Sequence, residues 1–90
     1  MAAPEALASP LAAFQARAKR CFEVNQPQIC EQALIEAEAL QQQASARSAY
    51  PCQTLLLGVQ ADLVMQQLQA GRDAQAIADL QAATRGCTGL

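Results

Sequence analysis

Ninety residues with a net charge of −2 and a sequence pI of about 4.8 make one small domain, without the basic excess that nucleic-acid binding needs. The hydrophobic fraction is 52%, but much of it is alanine and only Phe14, Phe22 and Tyr50 are aromatic, so the core must come from Leu, Ile, Val and Ala. No run approaches the ~20 apolar residues that span a bilayer, and a core this small gains from covalent staples or a partner surface.

The opening stretch, MAAPEALASPLAAFQARAKRC, has no early positive region, no continuous apolar run and a proline at position 4. It does not read as a secretory signal, and residues 1–8 are expected to form a flexible arm. The expected setting is then cytoplasmic, where thiols stay reduced. Ser9-Pro10 predicts a helix start, serine as N-cap and proline at the first helical position. From Leu11 to about Glu23, the residues Leu11, Phe14, Ala18 and Phe22 share one helical face. The cluster Arg17, Lys19 and Arg20 reads as a last turn complementing the helix dipole.

Asn25-Gln26-Pro27 ends that helix, and Pro27 opens a second one reaching about Ala46. Its stripe is Ile29, Ala33, Ala37, Leu40 and Ala44, with Glu31 expected in the first turn and Arg47 just past the end. After the connector Arg47-Ser48-Ala49-Tyr50, Pro51 starts a third helix that runs to about Ala70, with Gly71 expected as its glycine C-cap. Here the apolar residues fall on two arcs. One holds Cys52, Leu56, Val59 and Leu63; the other holds Leu57, Ala61, Val64 and Leu68. A helix apolar on two sides is expected to touch neighbours on both, so the third helix reads as the central one. The last helix, about Asp73 to Arg85, uses Ala76, Ile77, Leu80 and Ala83, and Gly86 ends it. No period-two run predicts a strand. The expected fold is all-α: one domain over 1–90, its four helices arranged as two antiparallel hairpins in a compact bundle.

Cys21 and Cys30 flank the first turn, Cys52 opens the third helix and Cys87 closes the fourth. In an antiparallel pair the start of one helix lies beside the end of the next. The pairings Cys21–Cys30 and Cys52–Cys87, one of three formal connectivities, follow from that geometry. On the chain-entropy account they contribute roughly 2–3 and about 4 kcal/mol. Other states stay open. Four cysteines can hold zinc, but C-x₈-C, C-x₂₁-C and C-x₃₄-C lack a local knuckle and no histidine helps. Buried free thiols serve as small apolar groups. Cys30 and Cys52 lie in helix first turns, which stabilise a thiolate, whereas Cys21 and Cys87 lie at helix ends, so each pair would also suit a redox switch.

Gly71, Ala76, Ile77, Leu80 and Ala83 stand in the pattern G-x₄-A-[LI]-x₂-L-x₂-A, and Ala33, Leu34, Ala37 and Leu40 repeat it in part. This resembles the second helix of a tetratricopeptide repeat. The offset between Ala33 and Ala76 is similar to that of the Sel1-like variety, in which a cysteine pair around a helix hairpin is a further parallel. The first helices depart from the pattern: Leu63, Val64 and Gln67 stand where the family places its leucine, glycine and aromatic. The resemblance implies helical hairpins that bind peptides or proteins, without catalysis.

Little points to chemistry. Without histidine, a nucleophile lacks its commonest base. Glu31, Glu36 and Glu38 form no inward carboxylate pair, Asp62 and Asp79 are expected on solvated faces, and Gly58, Gly71, Gly86 and Gly89 make no phosphate loop. The expected function is a non-catalytic interaction or scaffolding module, with no cofactor and no metal. Its partner is another protein or a second copy, and neither nucleic acid nor membrane. Tyr50, Leu55 and Met65, off the two arcs or at the connector, are the candidate contact residues. The alternatives are a thiol redox switch and a subunit whose chemistry sits on a partner.

Overall fold

Proline and serine set the helix starts. The computed structural model describes residues 9–90, so the arm expected over 1–8 lies outside the described residues. Helix α1 spans Pro10–Val24, α2 Pro27–Ala46, α3 Tyr50–Gln67 and α4 Asp73–Gly86. A proline occupies the first turn of α1, α2 and α3, where its missing N–H costs nothing. The Ser9 hydroxyl accepts from the Ala12 amide at 3.0 Å, which completes the N-cap of α1.

The ends of α1, α2 and α3 share a different device. Asn25, Ser48 and Gln69 all adopt positive φ, at 58°, 57° and 63°. At the end of α2 the Ala49 amide donates to the Ala44 carbonyl at 2.8 Å and Ser48 to Ser45 at 3.0 Å. At the end of α3 Ala70 donates to Met65 at 2.9 Å and Gln69 to Gln66 at 3.1 Å. Both are Schellman motifs, with serine and glutamine in the place glycine usually takes. Helix α3 therefore stops three residues before the expected Ala70, and Gln69, not Gly71, supplies the left-handed residue. Left-handed backbone costs a residue with a Cβ about 1–2 kcal/mol. Gln69→Gly is expected to stabilise the fold by about 0.5–1 kcal/mol, read as a higher urea midpoint at unchanged slope. A neutral or lower midpoint would show that the glutamine side chain outweighs this strain.

The bridges set the registers. Cys21–Cys30 joins α1 to α2 with Cα atoms 4.8 Å apart, and Cys52–Cys87 joins the start of α3 to the residue capping α4 at 4.9 Å. Counting outward from the first bridge along antiparallel helices sets Ala18 level with Ala33, Phe14 with Ala37 and Leu11 with Leu40. The second sets Leu56 level with Ala83, Val59 with Leu80 and Leu63 with Ala76. Every one of these residues is buried. Alanine stands opposite a larger side chain at three of these levels, so the helices approach closely while the core still fills. Two antiparallel hairpins thus make an all-α bundle. Helices α2 and α3 pack most extensively on each other, α1 touches the other three, and α2 and α4 do not meet. The result is a slab of 37 × 34 × 19 Å, two helices thick.

Several expectations need correction. Helix α1 runs on to Val24, so Arg17, Lys19 and Arg20 sit a turn short of its end; instead Arg17 reaches Glu36 of α2 at 3.0 Å and Lys19 lies 4.0 Å from Glu23. Glu31 falls beyond the first turn of α2. The two arcs of α3 do not both pack inward. Cys52, Leu56, Val59 and Leu63 are buried, while Leu57, Ala61, Val64 and Leu68 are exposed. Helices α1, α2 and α4 all gather round one side of α3, which leaves its other side open.

Candidate interaction surface

Between Arg47 and Arg72 the chain carries one charged residue, Asp62, and Asp62 is buried. The outer face of α3 is accordingly neutral from end to end. Along it Tyr50 is 59% exposed, Leu57 49%, Val64 40% and Leu68 68%. Thr54 and Ala61, both exposed, complete the line. The steps from residue 50 to 68 are four, three, four, three and four, the alternation of a coiled-coil seam. At ~100° per residue these six positions point away from the buried side of the helix. Counting about 200 Å² for a whole large side chain, Tyr50, Leu57, Val64, Leu68 and the adjacent Met65 leave on the order of 500 Å² open. That is toward the upper end for apolar patches on a typical monomer, where such patches are often functional.

The structure treats the three candidate contact residues differently. Tyr50 and Met65 are exposed, at 59% and 39%. Leu55 is half-buried against the core, and its δ1 methyl lies where a side chain at Gly86 would stand. It belongs to the α3–α4 contact. Ile35 and Val24 are also exposed, but Ile35 stands alone among Glu31, Gln32, Glu38 and Gln42 on the outer side of α2. A shallow groove of about 380 Å³ between α1 and α2, floored by Ala13, Ala16 and Ile29 and edged by Arg17 and Arg20, holds no buried polar group.

A second feature of α3 faces inward. Asp62, expected on a solvated face, is 3% exposed because α4 and its leading loop cover it. Arg72, at the N-cap of α4, donates to Asp62 Oδ1 at 3.4 Å and lies 4.0 Å from Asp79. Gln75 donates to Asp79 Oδ1 at 2.8 Å. Gln66 is buried beside Gly71 with its carbonyl oxygen unpaired, as is Asp62 Oδ2. Burial first, then the hydrogen bond and charge of Asp79, push the Asp62 carboxyl up to about 6 against the opposing pull of Arg72. Asp79 is lowered, chiefly by its hydrogen bond with Asp62. Arg72 reaches both carboxyl groups and so ties the loop between α3 and α4 to both helices.

This cluster has a measurable signature. A carboxyl whose folded value lies above its unfolded one contributes stability that is complete below about pH 4 and lost as pH rises through 6. Asp79 acts oppositely, and its contribution falls away only in stronger acid. Between pH 7 and 5 the unfolding free energy is expected to rise by about 1 kcal/mol. No histidine obscures that window. Asp62→Asn, measured by urea titration at both pH values, should flatten the dependence; an unchanged slope would place the titration elsewhere.

Among the described residues no group of three or more acidic, cysteine or histidine residues is placed to hold a metal ion, and no helix is long and apolar enough to cross a membrane. No family model, curated protein or solved structure matches the chain.

Proposed function

We propose that this chain is a non-catalytic protein–protein interaction module whose contact surface is the outer face of α3. The single observation behind this reading is the uncharged seam Tyr50, Thr54, Leu57, Ala61, Val64 and Leu68, exposed on a domain whose charges lie elsewhere. A tetratricopeptide- or Sel1-like character fits it, since such hairpins present helix faces to partners and Ala76, Leu80 and Ala83 of the resemblance pack α4 onto α3.

The cysteines support a rigid platform over a redox switch. All four cysteines are at most 4% exposed, out of reach of the thiolate that exchange requires. Two bridges in so short a chain also favour an oxidising compartment over the reduced cytoplasm. The contact reading is tested with a photo-crosslinking residue at position 57 in cells of the native source. A discrete adduct at 57, missing from the same label at Gln42 on α2, is the expected result. Equal labelling at both positions would overturn the proposal.

A further inference from the structure

The seam on α3 matches itself when reversed. Run two copies antiparallel about a twofold axis near Val59, and Tyr50 meets Leu68 of the other copy, Thr54 meets Val64 and Leu57 meets Ala61. Each pairing recurs on the far side of the axis, so six layers fill along about 27 Å of helix. Positions of the two seam rows meet in each layer, as antiparallel coiled coils require. Large stands against small at Leu57–Ala61, the step nearest the axis, where the backbones approach most closely. A parallel pairing sets Ala61 against Ala61 and leaves a void in that layer.

Charge and area select the same occupant. Two copies of a chain with net charge −2 repel weakly overall, but α3 brings no charge of either sign to the contact. The glutamines beside the seam, Gln53, Gln60 and Gln67, can hydrogen-bond to their own kind without a like-charge penalty. A partner with a charged groove would leave its charges unpaired against this face. A standard interface covers about 800 Å² per partner, of which about 65% is apolar in homodimers. That requires on the order of 500 Å² of apolar surface, which is the extent of the exposed patch.

From this we infer that the outer face of α3 is the twofold interface of a homodimer, its helices paired antiparallel with Leu57 against Ala61 of the second copy. The inference rests on the interaction-module reading and names its partner.

The test uses the oxidised 90-residue chain. Sedimentation velocity across micromolar to millimolar concentrations should show the 9.5 kDa chain doubling in mass, with concentration-dependent amide shifts confined to residues 50–68. L57E, which buries an unpaired carboxylate, should weaken association by at least ~100-fold, while I35E on the outer side of α2 leaves it unchanged. Circular dichroism of both variants should match the parent, because both positions are exposed. L57A and A61L should each weaken the dimer, and the double variant L57A/A61L, which swaps large and small within one layer, should recover most of the loss. A chain that stays monomeric at millimolar concentration, or a dimer indifferent to L57E, overturns the homodimer. If that monomer still gives a position-57 adduct with a different protein, the module reading stands without self-pairing. If it gives none, both fall.

Discussion

Replacing both Cys52 and Cys87 with alanine is expected to lower the unfolding free energy by about 4 kcal/mol, against about 2.5 for the Cys21/Cys30 pair. The difference comes from loop length, since the sequence separations are 35 and 9 and both bridges are similarly buried. Against the 5–15 kcal/mol typical of small domains, the larger loss is a major share of the total. It also falls on the weakest element. Helix α4 buries only Ala76, Leu80 and Ala83, and a loop beginning at a strained Gln69 ties it to α3. Without the second bridge α4 should open first, so its amides should exchange with solvent ahead of those in α2. Urea unfolding of the two double variants, with exchange mapped by residue, checks this. Equal losses would trace the stabilisation to sulfur packing and not to loop closure.

The same bridges show why so much of the fold was legible. The prolines at 10, 27 and 51 mark three helix starts to within a residue. Four cysteines at helix ends imply the antiparallel registers that the two bridges fix. The boundary that slipped, the end of α3, slipped for a local reason. Gly71 is the residue composition favours for a C-cap, yet the Schellman hydrogen bonds close at Gln69, and Gly71 is needed instead to clear the Gln66 amide. Left-handed glutamine leaves no mark in a one-dimensional pattern.

The candidate surface was harder to read, because periodicity reports which residues share a face and not what covers it. Both apolar arcs of α3 were visible. Taking both as internal assumed a neighbour on each side, whereas α1, α2 and α4 crowd onto one. One-sided packing turned the second arc outward, and it seats Leu55 partly in the α3–α4 joint. The signal that separates the arcs was nonetheless present. Cys52, bonded to α4, lies on the inward arc, so the arc lacking a cysteine was free to face solvent. Asp62 reads as solvent-facing for the converse reason: a lone carboxylate on an apolar helix looks solvated until Arg72 and Asp79 arrive from another element.

Phe14→Ala is expected to cost about 3–5 kcal/mol, a loss comparable to breaking the longer bridge. Phe14 is fully buried and is the largest side chain with no exposure. The register from Cys21–Cys30 sets it level with Ala37, with Ala18 and Ala33 one turn nearer the bridge, all fully buried. On the bridge side of Phe14 the contact is lined by alanine, which offers no long side chain to swing in and fill a cavity, and the bridge prevents α1 and α2 from sliding together. Relaxation is therefore small, and the cost should fall at the upper end of the range. Phe14→Leu, which keeps most of the volume, should lose about 1–2 kcal/mol. Phe22→Ala, at a site 4% exposed beside the bridge at the open end of α1, should lose less than Phe14→Ala. Thermal and urea unfolding of the three variants rank them. A Phe14→Ala cost no greater than that of Phe22→Ala would mean that the hairpin closes over the cavity, and the tight alanine contact between α1 and α2 would not be the constraint described.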